Sequence, residues 1–141
     1  MMHMFEVVYC SKTGSTKKVA EAIAGELGVK AEGVRNKKGL AKGSVVFLGS
    51  GCYGNMPGKE LLDFIEKNDF SGRKVALFGT SGSGKGLEVK ELADALKKKG
   101  ANVAGRFFCR GAFLVIFSFG HPGTKDLEKA RLFAQDMKRN L

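Results

Sequence analysis

Short apolar runs alternate with amphipathic stretches along this chain. Residues 4–10 (Met-Phe-Glu-Val-Val-Tyr-Cys) form a mostly apolar run, the pattern of a strand covered on both faces. From Thr16 to Leu27, Val19, Ala20, Ile23, Ala24 and Leu27 fall on one helical stripe, and Gly28 follows where a left-handed cap belongs. Residues 29–34 predict a short edge strand interrupted by Gly33, and residues 35–43 a polar, basic surface connection. Ser44–Gly49 and Lys74–Gly79 predict two further buried strands. Helices are expected over Lys59–Lys67 (Leu61, Leu62, Ile65 inward) and Leu87–Lys99 (Val89, Leu92, Leu96 inward), the second ended by Gly100. Ala101–Cys109 reads as a fifth strand. Thr124 is placed to cap a last helix with Asp126 and Glu128 in its first turn and Leu127, Ala130, Ala134 and Met137 on its apolar stripe.

Strand, loop, helix, repeated three times before the fifth strand, predicts an α/β fold: a doubly wound parallel sheet with right-handed crossovers. In such sheets ligands bind at the carboxyl ends of the strands. The chain of 141 residues is sized for one domain, 1–141. The run 113–119 is too apolar for a free loop and reads as the second half of a strand, a cover over the helix layer or a subunit contact through which the chain would oligomerise.

Three loops at those carboxyl ends carry the candidate chemistry. The first is Ser11-Lys12-Thr13-Gly14-Ser15-Thr16, between the first strand and first helix. The first N–H groups of a helix lack intrahelical partners, the helix dipole adds positive potential, and Gly14 lets the loop curl. Ser11, Thr13, Ser15 and Thr16 add four hydroxyl donors. No Lys-Ser/Thr pair closes the loop, so it suits a monophosphate ester bound without metal, not a Mg²⁺ triphosphate. The second loop, Ser50–Gly58, is long for a strand-to-helix connection and includes Gly51, Cys52, Tyr53 and Gly54. The third includes Thr80, Ser81, Gly82, Gly84 and Lys85. Gly79, Gly84 and Lys85 match the start of a nucleotide-binding loop, but Gly86 stands where the Mg²⁺-binding Ser or Thr belongs.

Ser11, Thr13, Gly14 and Thr16 fill all four specified positions of the flavodoxin phosphate loop, Ser/Thr-x-Thr-Gly-x-Thr. With the order of the later elements, the chain resembles a short-chain, FMN-binding member of the flavodoxin-like family. The resemblance implies a five-stranded sheet of order 2-1-3-4-5. It implies FMN held by the first loop (11–16, Lys12 and Ser15 included), by Gly51, Cys52, Tyr53 and Gly54, and by Thr80, Ser81, Gly82 and Gly84. In the family an aromatic residue at the place of Tyr53 stacks on the isoalloxazine, and N–H groups of the third loop bond its pyrimidine carbonyls. The aromatic and acidic residues often found in that third loop are missing, which leaves one flavin face more open or covered by something else.

Charge changes the picture. The net value is +10, with a sequence pI near 9.7, whereas flavodoxins are typically acidic. No zinc spacing, recognition helix or single-strand stacking module accompanies the basic residues, so specific nucleic-acid binding is not indicated. The expected partners are redox proteins, acidic ones suiting the charge. The longest apolar run is far short of a membrane span, and Met1-Met2-His3-Met4 has no signal-peptide character. Cys10, Cys52 and Cys109 lie in no metal spacing. These features place the protein in the cytoplasm. His3 and His121 lie outside the three loops, so no acid–base pair and no catalytic residue is assigned. The expected function is FMN-dependent electron transfer. A flavin-dependent NAD(P)H or quinone reductase and a flavin-free basic interaction module are the alternatives.

Overall fold

In the computed structural model, residues 4–111 and 121–140 are described. The apolar runs become parallel strands. β1 (Phe5–Cys10), β2 (Ala31–Gly33), β3 (Val45–Gly51), β4 (Lys74–Ser81) and β5 (Asn102–Arg110) form one sheet in the order β2-β1-β3-β4-β5. All seven residues of β3 are buried, because helices cover both faces of the sheet at its centre. β2 is the short edge strand expected from its sequence.

The helices are α1 (Ser15–Leu27), α2 (Lys59–Lys67), α3 (Leu87–Lys98) and α4 (Thr124–Asn140). The stripe of α1, with Ala130 and Ala134 of α4, packs with Val7, Phe47 and Phe78 on one face. On the other face Leu61 and Ile65 of α2 and Leu92 and Leu96 of α3 pack with Val8, Leu48 and Leu77. Gly28 ends α1 with φ 72°, its N–H on the carbonyls of Ala24 and Gly25. At the start of α4 the cap comes from Asp126 rather than Thr124. Thr124 is already helical, and the Asp126 carboxylate accepts the Gly123 N–H at 2.9 Å and bonds the His121 ring at 2.8 Å.

Two features of the sheet position the site. Cys10, Ser50 and Gly79 are register partners across β1, β3 and β4, so the loops that follow these strands leave the sheet at one edge. Below them the Phe78 ring crosses Gly49, where an added Cβ would lie 2.0 Å from the ring. At the opposite edge, Glu6 accepts hydrogen bonds from Lys37, Ser44 and the Ala41 N–H, fixing the basic connection after β2. Residues 112–120, which include the apolar run 113–119 with its subunit-contact reading, lie outside the described residues.

Candidate functional site

The loop between β1 and α1 is built by its own hydroxyls. Ser11 Oγ accepts the Gly14 N–H at 3.1 Å, and Thr13 Oγ1 lies 3.3 Å from Ser15 Oγ. Gly14 has φ 91°, a left-handed conformation that glycine adopts without strain, and a Cβ there would meet nothing within 4 Å. α1 starts at Ser15, and the first intrahelical bond runs from the Lys18 N–H to the Gly14 carbonyl. The Ser15 N–H lies 3.5 Å from Thr13 Oγ1, while the Thr16 and Lys17 N–H groups have no carbonyl one turn back, an arrangement that favours an anion at the helix N-terminus. Ser11, Lys12 and Thr13 are accessible at the rim. Thr16 is buried instead, its hydroxyl 2.7 Å from that of Thr80. That bond ties the first loop to the end of β4, so Thr16 shapes the cradle from beneath.

The second loop folds back on the first. Gly54 (φ 61°) and Asn55 (φ 67°) are consecutive left-handed residues, and the Tyr53 and Met56 backbones bond each other across them, as in a tight hairpin turn. The turn swings Tyr53 over Gly51, where a Cβ would come within 2.6 Å of the phenolic oxygen. The Tyr53 hydroxyl accepts the Lys12 N–H at 3.0 Å, and the Lys12 ammonium lies 4.4 Å from the ring centroid. Tyr53 thus joins the two loops rather than packing only on its own. Burial raises its phenol pKa. The Gly58 N–H bonds Ser50 Oγ at 2.8 Å, and Gly58 sits so close to the Cys10 sulfur that a Cβ would approach it within 2.4 Å.

Thr80 and Ser81 are the last residues of β4, which runs two residues further than the strand expected from the sequence, so they belong to the sheet and not to the loop. The ladder to β5 continues to their level, Thr80 facing Cys109 and Ser81 facing Arg110, which draws them into the sheet. Ser81 Oγ accepts the Gly84 N–H at 2.9 Å, and Gly84 and Gly86 take φ of 70° and 75°. Lys85 is exposed on the loop. Burial raises the thiol pKa of Cys52 and Cys10.

Sequence reasoning missed Glu88. It is fully buried, and neither carboxylate oxygen has a hydrogen-bond partner among the described residues. Burial pushes its carboxyl pKa up to about 7. The sequence shows only an acidic residue in a helix first turn, a common solvent-exposed placement. The hint lay in Gly79, whose missing side chain makes room for the carboxyl. Tyr9, inside β1, is half-buried and lines a cleft of about 430 Å³ with Ser11, Lys12 and Arg35 on the β2 side of the first loop.

The three loops thus make a hydroxyl and N–H cradle, an aromatic ring beside it and a glycine-rich wall, with no group of metal ligands among the described residues. The three loops meet at the carboxyl edge of a doubly wound sheet. The flavodoxin domain model matches residues 6–115, and the chain belongs to the flavodoxin family. Uncharacterized protein MJ0298 of Methanocaldococcus jannaschii is 30% identical over 137 residues, covering 89% of this chain and 91% of that protein. Oxidised Flavodoxin 1 of Bacillus cereus superposes with a TM-score of 0.79 at 21% identity, covering 98% of this chain and 99% of that one. A short-chain flavodoxin associated with a non-canonical PDU bacterial microcompartment gives 0.74 at 21% identity, with 99% of both chains covered. No helix among the described residues is long and apolar enough to cross a membrane.

Proposed function

We propose that the protein binds FMN and works as a one-electron carrier between redox proteins. The observation that carries this reading is the first loop. Accessible hydroxyls of Ser11 and Thr13, a left-handed Gly14 and the open first turn of α1 suit a phosphate monoester, and Tyr53 lies directly beside them. The buried bond between Thr16 and Thr80 supports the fit: it holds the phosphate end and the ring end of the site at a fixed spacing.

FMN, when bound, supplies the electron-accepting chemistry. The protein binds, orients and tunes it. Ser11, Lys12, Thr13, Gly14 and Ser15 would hold the phosphate, with Thr16 beneath them. Gly51, Cys52, Tyr53 and Gly54 would border one side of the ring system, and Thr80, Ser81, Gly82 and Gly84 the other. The rim carries exposed Lys12, Lys59, Lys85 and Arg110, while its acidic Glu60 is already paired with Arg35. Such a rim favours acidic partners and gives salt-sensitive association rates. Three free cysteines suit a reducing compartment, and we place the protein in the cytoplasm.

The test is a fluorescence titration of the apoprotein with FMN and with riboflavin. Charge-assisted hydrogen bonds contribute roughly 1.5–3 kcal/mol each, so FMN should bind at least a hundredfold more tightly. Equal affinities would remove the phosphate role of the first loop.

A further inference from the structure

A buried acid without a partner is costly, and proteins place one where its proton has a use. Glu88 is the second residue of α3, directly after the third loop. Its carboxyl lies over Gly79, the residue before Thr80, where a Cβ would come within 2.3 Å of Oε2. The niche therefore depends on a glycine in β4, and both oxygens in it are unpartnered.

The groups around this carboxyl offer no counter-charge. Beneath it β4 presents Gly79, which carries no charge. No lysine, arginine or histidine among the described residues pairs with it. From α3 itself only its own N–H favours the anion, and burial outweighs that. The carboxyl thus titrates close to neutrality, where a nearby charge decides its state.

Resting on the FMN reading, we propose that Glu88 is the proton-holding residue of the site: it binds a proton when the neighbouring flavin accepts an electron. One electron passes from a one-electron donor, dithionite in the test, to the flavin. One proton passes from water to a Glu88 carboxylate oxygen and forms its O–H bond. No protein bond breaks, and reoxidation returns the proton to water. Negative charge arriving beside the third loop raises the proton affinity of a carboxyl that has no ion-pair partner among the described residues. Glu88 acts through the field and does not touch the reacting atoms, so it is a positioning residue.

The test has two arms. In the first, infrared spectra of the flavin-free protein are recorded from about pH 5 to about pH 9. The wild-type-minus-Glu88→Gln difference spectrum should show the C=O stretch of a protonated carboxylic acid at about pH 6 and lose it by about pH 9, the ordinary carboxylates cancelling between the two proteins. No such difference band at about pH 6, or one that does not change with pH, overturns the proposal. In the second, reduction potentials of the FMN-loaded proteins are measured over the same range. The wild-type value should fall relative to that of Glu88→Gln as pH rises, by up to tenfold in the electron-transfer equilibrium per pH unit, about 59 mV for one electron. Two curves that run parallel overturn it. If Glu88→Gln does not fold, the second arm becomes a reduced-minus-oxidised infrared difference on the wild type. Gain of the acid band on reduction supports the coupling, and no gain ends it. Failure to load FMN removes the reading beneath the coupling, and the coupling with it, while the first arm still reports whether Glu88 holds a proton.

Discussion

Replacing Glu88 with glutamine should change how stability depends on pH, flavin bound or not. In the folded protein its carboxyl titrates near 7, against an ordinary value of 4.5. Between these values the unfolded chain has released the proton and the folded chain still holds it. Stability therefore falls as pH rises from the lower value through the higher, then levels off. Each pKa unit corresponds to about 1.4 kcal/mol, so the difference amounts to roughly 3 kcal/mol. That is a large part of the 5–15 kcal/mol typical of a domain. The glutamine amide in the variant adds a buried polar cost of its own, but that cost does not vary with pH. Glu6, Glu60 and Asp126, all held below the usual carboxylate range, titrate at lower pH and equally in both proteins. The assay is urea unfolding of both flavin-free proteins at several values from about pH 5 to about pH 9. The wild type should lose roughly 3 kcal/mol relative to Glu88→Gln over that interval. A constant difference between the two would mean that Glu88 is ionised throughout, and would refute both its solitary burial and the coupling built on it.

Three further predictions concern the loops and the sheet beneath them. Thr13→Asp places a carboxylate against the phosphate and removes a hydroxyl, so FMN affinity should fall at least a hundredfold in fluorescence titration, roughly 3 kcal/mol; an unchanged affinity would exclude Thr13 from the cradle. Lys85→Glu should lower the reduction potential of bound flavin by on the order of tens of millivolts, an effect that shrinks in high salt; spectroelectrochemistry giving identical potentials would leave Lys85 a role in partner docking only. Gly49→Ala drives a methyl group into the Phe78 ring, 2.0 Å away, and urea unfolding should show a loss of at least about 1–3 kcal/mol; wild-type stability would mean that the ring is free to move aside.

The architecture was legible because each central strand is an unbroken apolar run and each crossover helix carries one apolar stripe. Those two periods, with turns rich in glycine, leave few alternatives to a doubly wound sheet. The first loop was legible too, since a cluster of hydroxyls around Gly14 has an obvious chemical use. What stayed hidden were contacts between residues distant in the chain. Thr16 meets Thr80 across 64 residues of sequence, and the Tyr53 hydroxyl reaches the Lys12 N–H across 41. Neither side chain advertises its partner. Thr80 and Ser81 read as loop because small polar residues favour turns, yet pairing with β5 holds them in the ladder. Glu88 was the furthest from view: at the start of an amphipathic helix a glutamate is normally solvated, and only the depth of α3 against Gly79 buries it.

The central claim, that this fold holds FMN at the Ser11–Thr16 loop, meets its most direct test in one absorbance spectrum. Purified protein is incubated with excess FMN, passed through a desalting column and scanned in the visible range. The account predicts a yellow protein fraction with the two flavin bands shifted from those of free FMN and one FMN per chain. A colourless protein fraction, with all the FMN in the small-molecule volume, would contradict it.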